Sequence, residues 1–142
     1  DHWQSRGLGD VYKRQDISGE TPDIETYLYV KDYISKYQLN IDINSKPLKD
    51  QIIEINTLLK FHDNSESKKK SHFEITYSTV IKLNKEIKDK NILQKIVLCD
   101  VQKEVYPEME KALLSLLHTS GYPEIKFEKK IDFEELYKKN FN

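Results

Sequence analysis

Ile96-Val97-Leu98-Cys99 is a compact apolar run closed by Asp100, and it constrains what can be built around it. A run this short, apolar on both sides and bounded by a charge, predicts a central strand covered on both faces. The flanking patterns supply the cover. Thr21-Pro22-Asp23 carries a helix-start signature, an N-cap hydroxyl followed by proline and an acid. Ile24, Tyr27, Leu28 and Ile34 then recur at helical spacing, so a helix is expected to about Tyr37. Leu39 to Ile43 alternates apolar and polar residues and predicts a half-buried strand. Ser45-Lys46-Pro47 is expected to open a second helix through Leu48, Ile52, Ile55 and Leu59. His62 to Ser71 (HDNSESKKKS) lacks periodicity and is expected to be a loop.

A third helix is expected from Phe73 to Lys88, with Tyr77, Val80, Ile81 and Ile87 inward. Pro107 is expected to begin another, through Met109, Leu113, Leu116 and Leu117, that stops at Ser120-Gly121. Ile125 to Glu128 predicts a strand, and Asp132 caps a last helix through Leu136 and Tyr137. The order α, β, α, α, β, α, β, α predicts an α/β fold with a mixed sheet flanked by helices.

Ser5 to Gln15, SRGLGDVYKRQ, looks like a common tagmentation sequencing adapter translated in one frame. Residues 1–15 are therefore expected to be an artefactual, disordered leader, and residues 16–142 a partial domain whose true N-terminal part is missing. Charged residues make up 33% of the chain at a net charge of −1, which supplies no general attraction to phosphates or membrane. Lys68, Lys69 and Lys70 are expected to form a solvated loop. The lone Cys99 excludes a disulfide framework and suggests a reducing, intracellular compartment. It is expected in the core. His2, His62, His72 and His118 share no ligand spacing. The tyrosines Tyr27, Tyr29, Tyr33 and Tyr37 are expected to form packing surface.

Asp100 would sit at the carboxyl end of the central strand, where α/β folds place ligands. Asp132 follows the next expected strand, and alone it is an ordinary helix cap. Paired acids at adjacent strand ends are what two-metal phosphodiester chemistry requires.

The stretches ITYSTVI from Ile75, VLCDVQ from Val97, PEMEKALL from Pro107 and GYPEIKFEKKID from Gly121 resemble the catalytic subunit of the type 2 ribonucleases H. That resemblance implies a ribonuclease H-like fold, incomplete at the N-terminus. It implies a metal-dependent endonuclease acting on RNA in RNA/DNA hybrids, with auxiliary subunits as further partners. Asp100 and Asp132 would be catalytic residues and ligands of Mg²⁺ or Mn²⁺ in the intact parent. Tyr137 stands nearest the family's substrate-sensing tyrosine. Ser78 replaces a family Asp, and Val101-Gln102-Lys103 replaces Thr-Val-Gly. With the other two family carboxylates expected upstream, the fragment is expected to be inactive and to hold no metal. Thr21-Pro22-Asp23 and Ile96 to Asp100 also resemble the ATP-binding domain of asparagine synthetase-like enzymes, although CDVQKE lacks that family's glycines. A non-catalytic α/β interaction module is a third reading.

Overall fold

A computed structural model describes residues 8–21, 23–63, 70–83, 88–125, 127 and 131–139. Its framework is an antiparallel sheet of four strands: β1 (Leu8–Glu20), β2 (Gln38–Pro47), β3 (Ile52–His62) and β4 (His72–Leu83), in the order β1-β4-β3-β2. The helices are α1 (Ile24–Tyr33), α2 (Lys90–Lys95), α3 (Val101–Thr119) and α4 (Phe133–Lys139). A 3-10 turn, Ile34–Lys36, extends α1, and a wider π turn, Ile96–Asp100, joins α2 to α3.

The expected mixture of helices and sheet is present, but the sheet is antiparallel throughout and not mixed. Two expected helices are strands. β3 buries Ile55, Thr57, Leu59 and Phe61, and β4 buries Phe73, Ile75, Tyr77, Thr79, Ile81 and Leu83. These are alternate residues, and they all point to one face. The opposite face is half-exposed and polar; there Ser78 donates to Asn56 Oδ1 at 2.6 Å, and Asn56 donates to Asn44 Oδ1 at 3.4 Å.

Ile96 to Cys99, expected as the central strand, is helical and lies in the π turn. It is apolar on every side because it is buried on every side. Gln102, itself buried, braces this turn by donating to the Val97 carbonyl at 3.1 Å and accepting from the Thr57 hydroxyl at 3.0 Å. Pro107 does not begin a helix but lies inside α3. From α3, Val101, Val105, Met109, Leu113 and Leu117 face the core.

Helix ends follow their signals more closely. Asp23, rather than Thr21, caps α1, its side chain accepting from Thr26 N at 2.7 Å. Asp132 caps α4 by accepting from Glu135 N at 3.2 Å. α3 stops at Gly121, whose φ of 89° suits glycine. There Gly121 N donates to the His118 carbonyl and Tyr122 N to the Leu117 carbonyl, both at 3.0 Å.

No regular structure is assigned to Ile125 or Phe127, where a strand was expected; the rest of that stretch lies outside the described residues. Residues 8–15, expected as a disordered leader, form the first part of β1, with Val11 opposite Ile81 and Gln15 opposite Tyr77. Strand pairing uses main-chain groups that every residue but proline carries, so it tolerates a segment of any origin.

Candidate functional site

The two acids singled out from sequence do not form the expected site. Asp100 ends a helical turn and not a strand, so the position that suggested ligand binding does not exist. Asp132 is occupied in capping α4. The Tyr137 hydroxyl donates to the Asn91 carbonyl at 3.2 Å, tying α4 to α2. Among the described residues no three His, Cys, Asp or Glu side chains come together as a metal site. Cys99 is fully buried, and burial, reinforced by the neighbouring Glu134, raises its pKa and keeps the thiol protonated. Lys103 and Glu134 pair at 2.7 Å beside it. This pairing raises the lysine pKa and lowers that of the carboxylate.

The histidines likewise stay apart. His62 ends β3 within 2.8 Å of Asn40 Nδ2, His72 contacts Glu74 at 2.6 Å, and His118 is exposed on α3.

What the fold does build is a cleft of about 840 Å³ between the end of α1, the start of β2 and the chain after α3. Ile34, Tyr37, Leu39, Phe61, Ile125, Phe127 and Ile131 are its apolar lining. The rings pack at angles: Tyr37 lies 5.4 Å from Phe61 and Phe127 lies 5.7 Å from it, centroid to centroid. Lys31 and Glu124, of opposite charge, are also in the lining. Leu39, Asn40 and Ile131 also border a second hollow of about 630 Å³, reaching Ile41, His62 and Lys70. Both hollows lie against β2, a sheet edge.

Of this lining, Ile34, Tyr37 and Phe61 are buried core residues behind the cleft, and Leu39, Ile125, Phe127 and Ile131 are partly exposed. Among the described strands β2 is an edge. The expectation of the tyrosines as packing surface holds for Tyr37, which is buried against Phe61. Tyr27 also packs, donating to the Gly121 carbonyl at 2.6 Å, and Tyr29 and Tyr33 stack at 4.8 Å on an exposed face.

Comparisons with known proteins identify the family. The family described as preprotein translocase subunit SecB matches residues 7–142. A protein of Pelagibacter ubique (strain HTCC1062), assigned to protein export as SecB, is 57% identical over 135 residues, covering 95% of either chain. Among solved structures, a SecB-like chaperone of Mycobacterium tuberculosis, in complex with a ChAD peptide from an antitoxin, superposes with a TM-score of 0.58. That alignment covers 92% of this chain and 96% of the other at 8% identity, so it speaks to the fold alone.

These matches overturn the ribonuclease H resemblance, and with it the nuclease function, the hydrolase class and the RNA/DNA partner. The synthetase-like and interaction-module alternatives find no support in them either. The short motifs behind the ribonuclease reading were fragments of other elements: ITYSTVI is part of β4, and VLCDVQ spans the π turn.

Proposed function

The chain belongs to the SecB family, and from that membership and the aromatic cleft we propose that it is a chaperone for proteins destined for export. It holds unfolded segments of its clients by their apolar and aromatic side chains. The observation that carries this reading is the cleft beside the edge strand β2, where Leu39, Ile125, Phe127 and Ile131 are partly exposed over the buried rings of Tyr37 and Phe61. A folded protein hides the residues such a cleft takes, whereas an unfolded one presents them every few positions. Selection is then for the unfolded state and not for a sequence. Export clients must be met before they cross the membrane, which puts the site of action on the cytoplasmic side. No helix among the described residues is long and apolar enough to span a membrane.

Binding of a fluorescein-labelled, reduced and carboxamidomethylated polypeptide tests this reading, with the same polypeptide in its native disulfide-bonded form as the control. The unfolded form is expected to bind and the native form not. Phe127→Ala removes one aromatic ring from the cleft lining and is expected to weaken binding about tenfold, the scale of one aromatic anchor. Equal binding of native and unfolded forms, or an unaffected Phe127→Ala variant, would sink the proposal.

A further inference from the structure

Behind the cleft, connecting segments distant in sequence meet in one hydroxyl cluster. Thr21 follows β1, Ser71 precedes β4 and Tyr122 follows α3. Thr21 Oγ1 lies 2.8 Å from Ser71 Oγ and 2.9 Å from the Tyr122 hydroxyl, and the last two lie 2.6 Å apart. Each hydroxyl has one proton to donate and lone pairs to accept. A ring in which each donates to the next therefore satisfies all three. Ser71 and Tyr122 are 1% and 3% exposed, so water does not compete for them. The main-chain N–H of Ser71 donates in turn to the Tyr37 hydroxyl at 3.0 Å.

Tyr37 thus belongs to two structures. Its ring backs the cleft, and its oxygen is held by the segment that carries the hydroxyl ring. A chain of rings makes the same connection: Tyr122 meets Phe73 edge-on at 5.5 Å, and Phe73 lies 6.5 Å from Phe61 behind the cleft. Thr21 and Tyr122 do not line the cleft themselves. The element they hold enters the core through Val30 and, in its 3-10 extension, Ile34, and its Tyr27 ring lies 5.2 Å from that of Tyr122. α1 buries only Thr26 and Val30 and leaves Ile24 and Leu28 exposed. Hydrogen bonds near each end add to that hold and fix its position: Tyr27 to the Gly121 carbonyl, and Ser71 to Tyr37.

We infer that Thr21, Ser71 and Tyr122 are positioning residues for client capture, their hydroxyl ring fixing where α1 and Tyr37 stand and so setting the width of the cleft. The inference rests on the cleft being the client site. A ring that served stability alone would leave affinity unchanged when broken.

The test uses the full chain and the same labelled unfolded polypeptide, with amide exchange followed along residues 24–37. Tyr122→Phe and Thr21→Val each remove one hydroxyl and little volume. Both are expected to weaken binding about threefold or more, the scale of one neutral hydrogen bond, mainly through faster dissociation. Exchange across 24–37 is expected to quicken while β3 and β4 keep their protection. Thr21→Ser restores the hydroxyl and is expected to bind as the parent does. Should Tyr122→Phe fail to fold, the Thr21 pair carries the test alone. Parent-like affinity in Tyr122→Phe and Thr21→Val would overturn the inference, as would Thr21→Ser behaving like Thr21→Val. A parent chain that fails to bind overturns the chaperone reading and this inference together. Weak binding by Phe127→Ala with undiminished binding by the hydroxyl variants overturns this inference alone.

Discussion

Asp50 and Gln51 carry φ of 62° and 63° at the two central positions of the turn between β2 and β3. Ile52 N closes that turn on the Lys49 carbonyl at 3.3 Å. Positive φ at both positions is the geometry that favours Asn-Gly, because a side chain there crowds the backbone. Gln51→Gly is therefore expected to stabilise the chain by about 1 kcal/mol, net of the extra freedom glycine has when unfolded. Thermal unfolding should report a rise of about 3 °C, and a fall would contradict the turn as described. At Gly121 the sign reverses. Its φ is 89°, and an added Cβ would stand 3.1 Å from the Tyr27 hydroxyl. Gly121→Ala is expected to cost about 1–2 kcal/mol and to quicken amide exchange in α1, because the collision falls on one of that helix's ties.

Proline has a legible meaning at the level of the helix as well, although not the one its usual position implies. Pro107 is exposed inside α3 and deprives the Lys103 carbonyl of its helical partner. Pro107→Ala is expected to raise stability by about 1–3 kcal/mol, measured by denaturant midpoint at unchanged slope. Caps elsewhere were readable because they are local: Asp132 before α4 and Gly121 after α3 act within a few residues of themselves. Strands β3 and β4 were not, because two periods fit the same residues. Ile52, Ile55 and Leu59 have helical spacing, while Ile53, Ile55, Thr57, Leu59 and Phe61 alternate. The alternation is disguised where Thr57 and Thr79 take buried positions and where Leu58 and Val80 stand on the half-exposed face. Reading Ile96 to Cys99 as a strand failed for the opposite reason, since a fully buried helical turn has no polar side to show its period. The cleft had no local signature at all. Tyr37, Phe61 and Phe127 come from three separate segments, and only the folded sheet brings them together.

Taken whole, the molecule is nearly neutral, with 23 Lys and Arg against 24 Asp and Glu. Some of these charges are matched on the surface, as in Lys103 with Glu134 at 2.7 Å, Arg14 with Asp16 at 3.7 Å and Lys60 with Asp42 at 3.9 Å. Exposed pairs of this kind contribute little to stability, but together they leave little field beyond the surface. The cleft repeats the balance, with exposed Lys31 and Glu124 both in its lining. An unfolded client should therefore be drawn in by burial of apolar surface and not by charge. Raising salt from about 0.05 to about 0.5 M shortens the reach of charge interactions roughly threefold. Client affinity and association rate are nevertheless expected to change by less than about twofold across that range. Binding calorimetry at several temperatures should show a negative heat-capacity change, the mark of apolar burial. A loss of affinity of about tenfold with salt would mean that charged groups on the client are the main contact. The weight of recognition would then move from the apolar lining of the cleft to charged groups such as those of the neighbouring hollow, where Lys60 and Lys70 stand with Asp42 and Asp63.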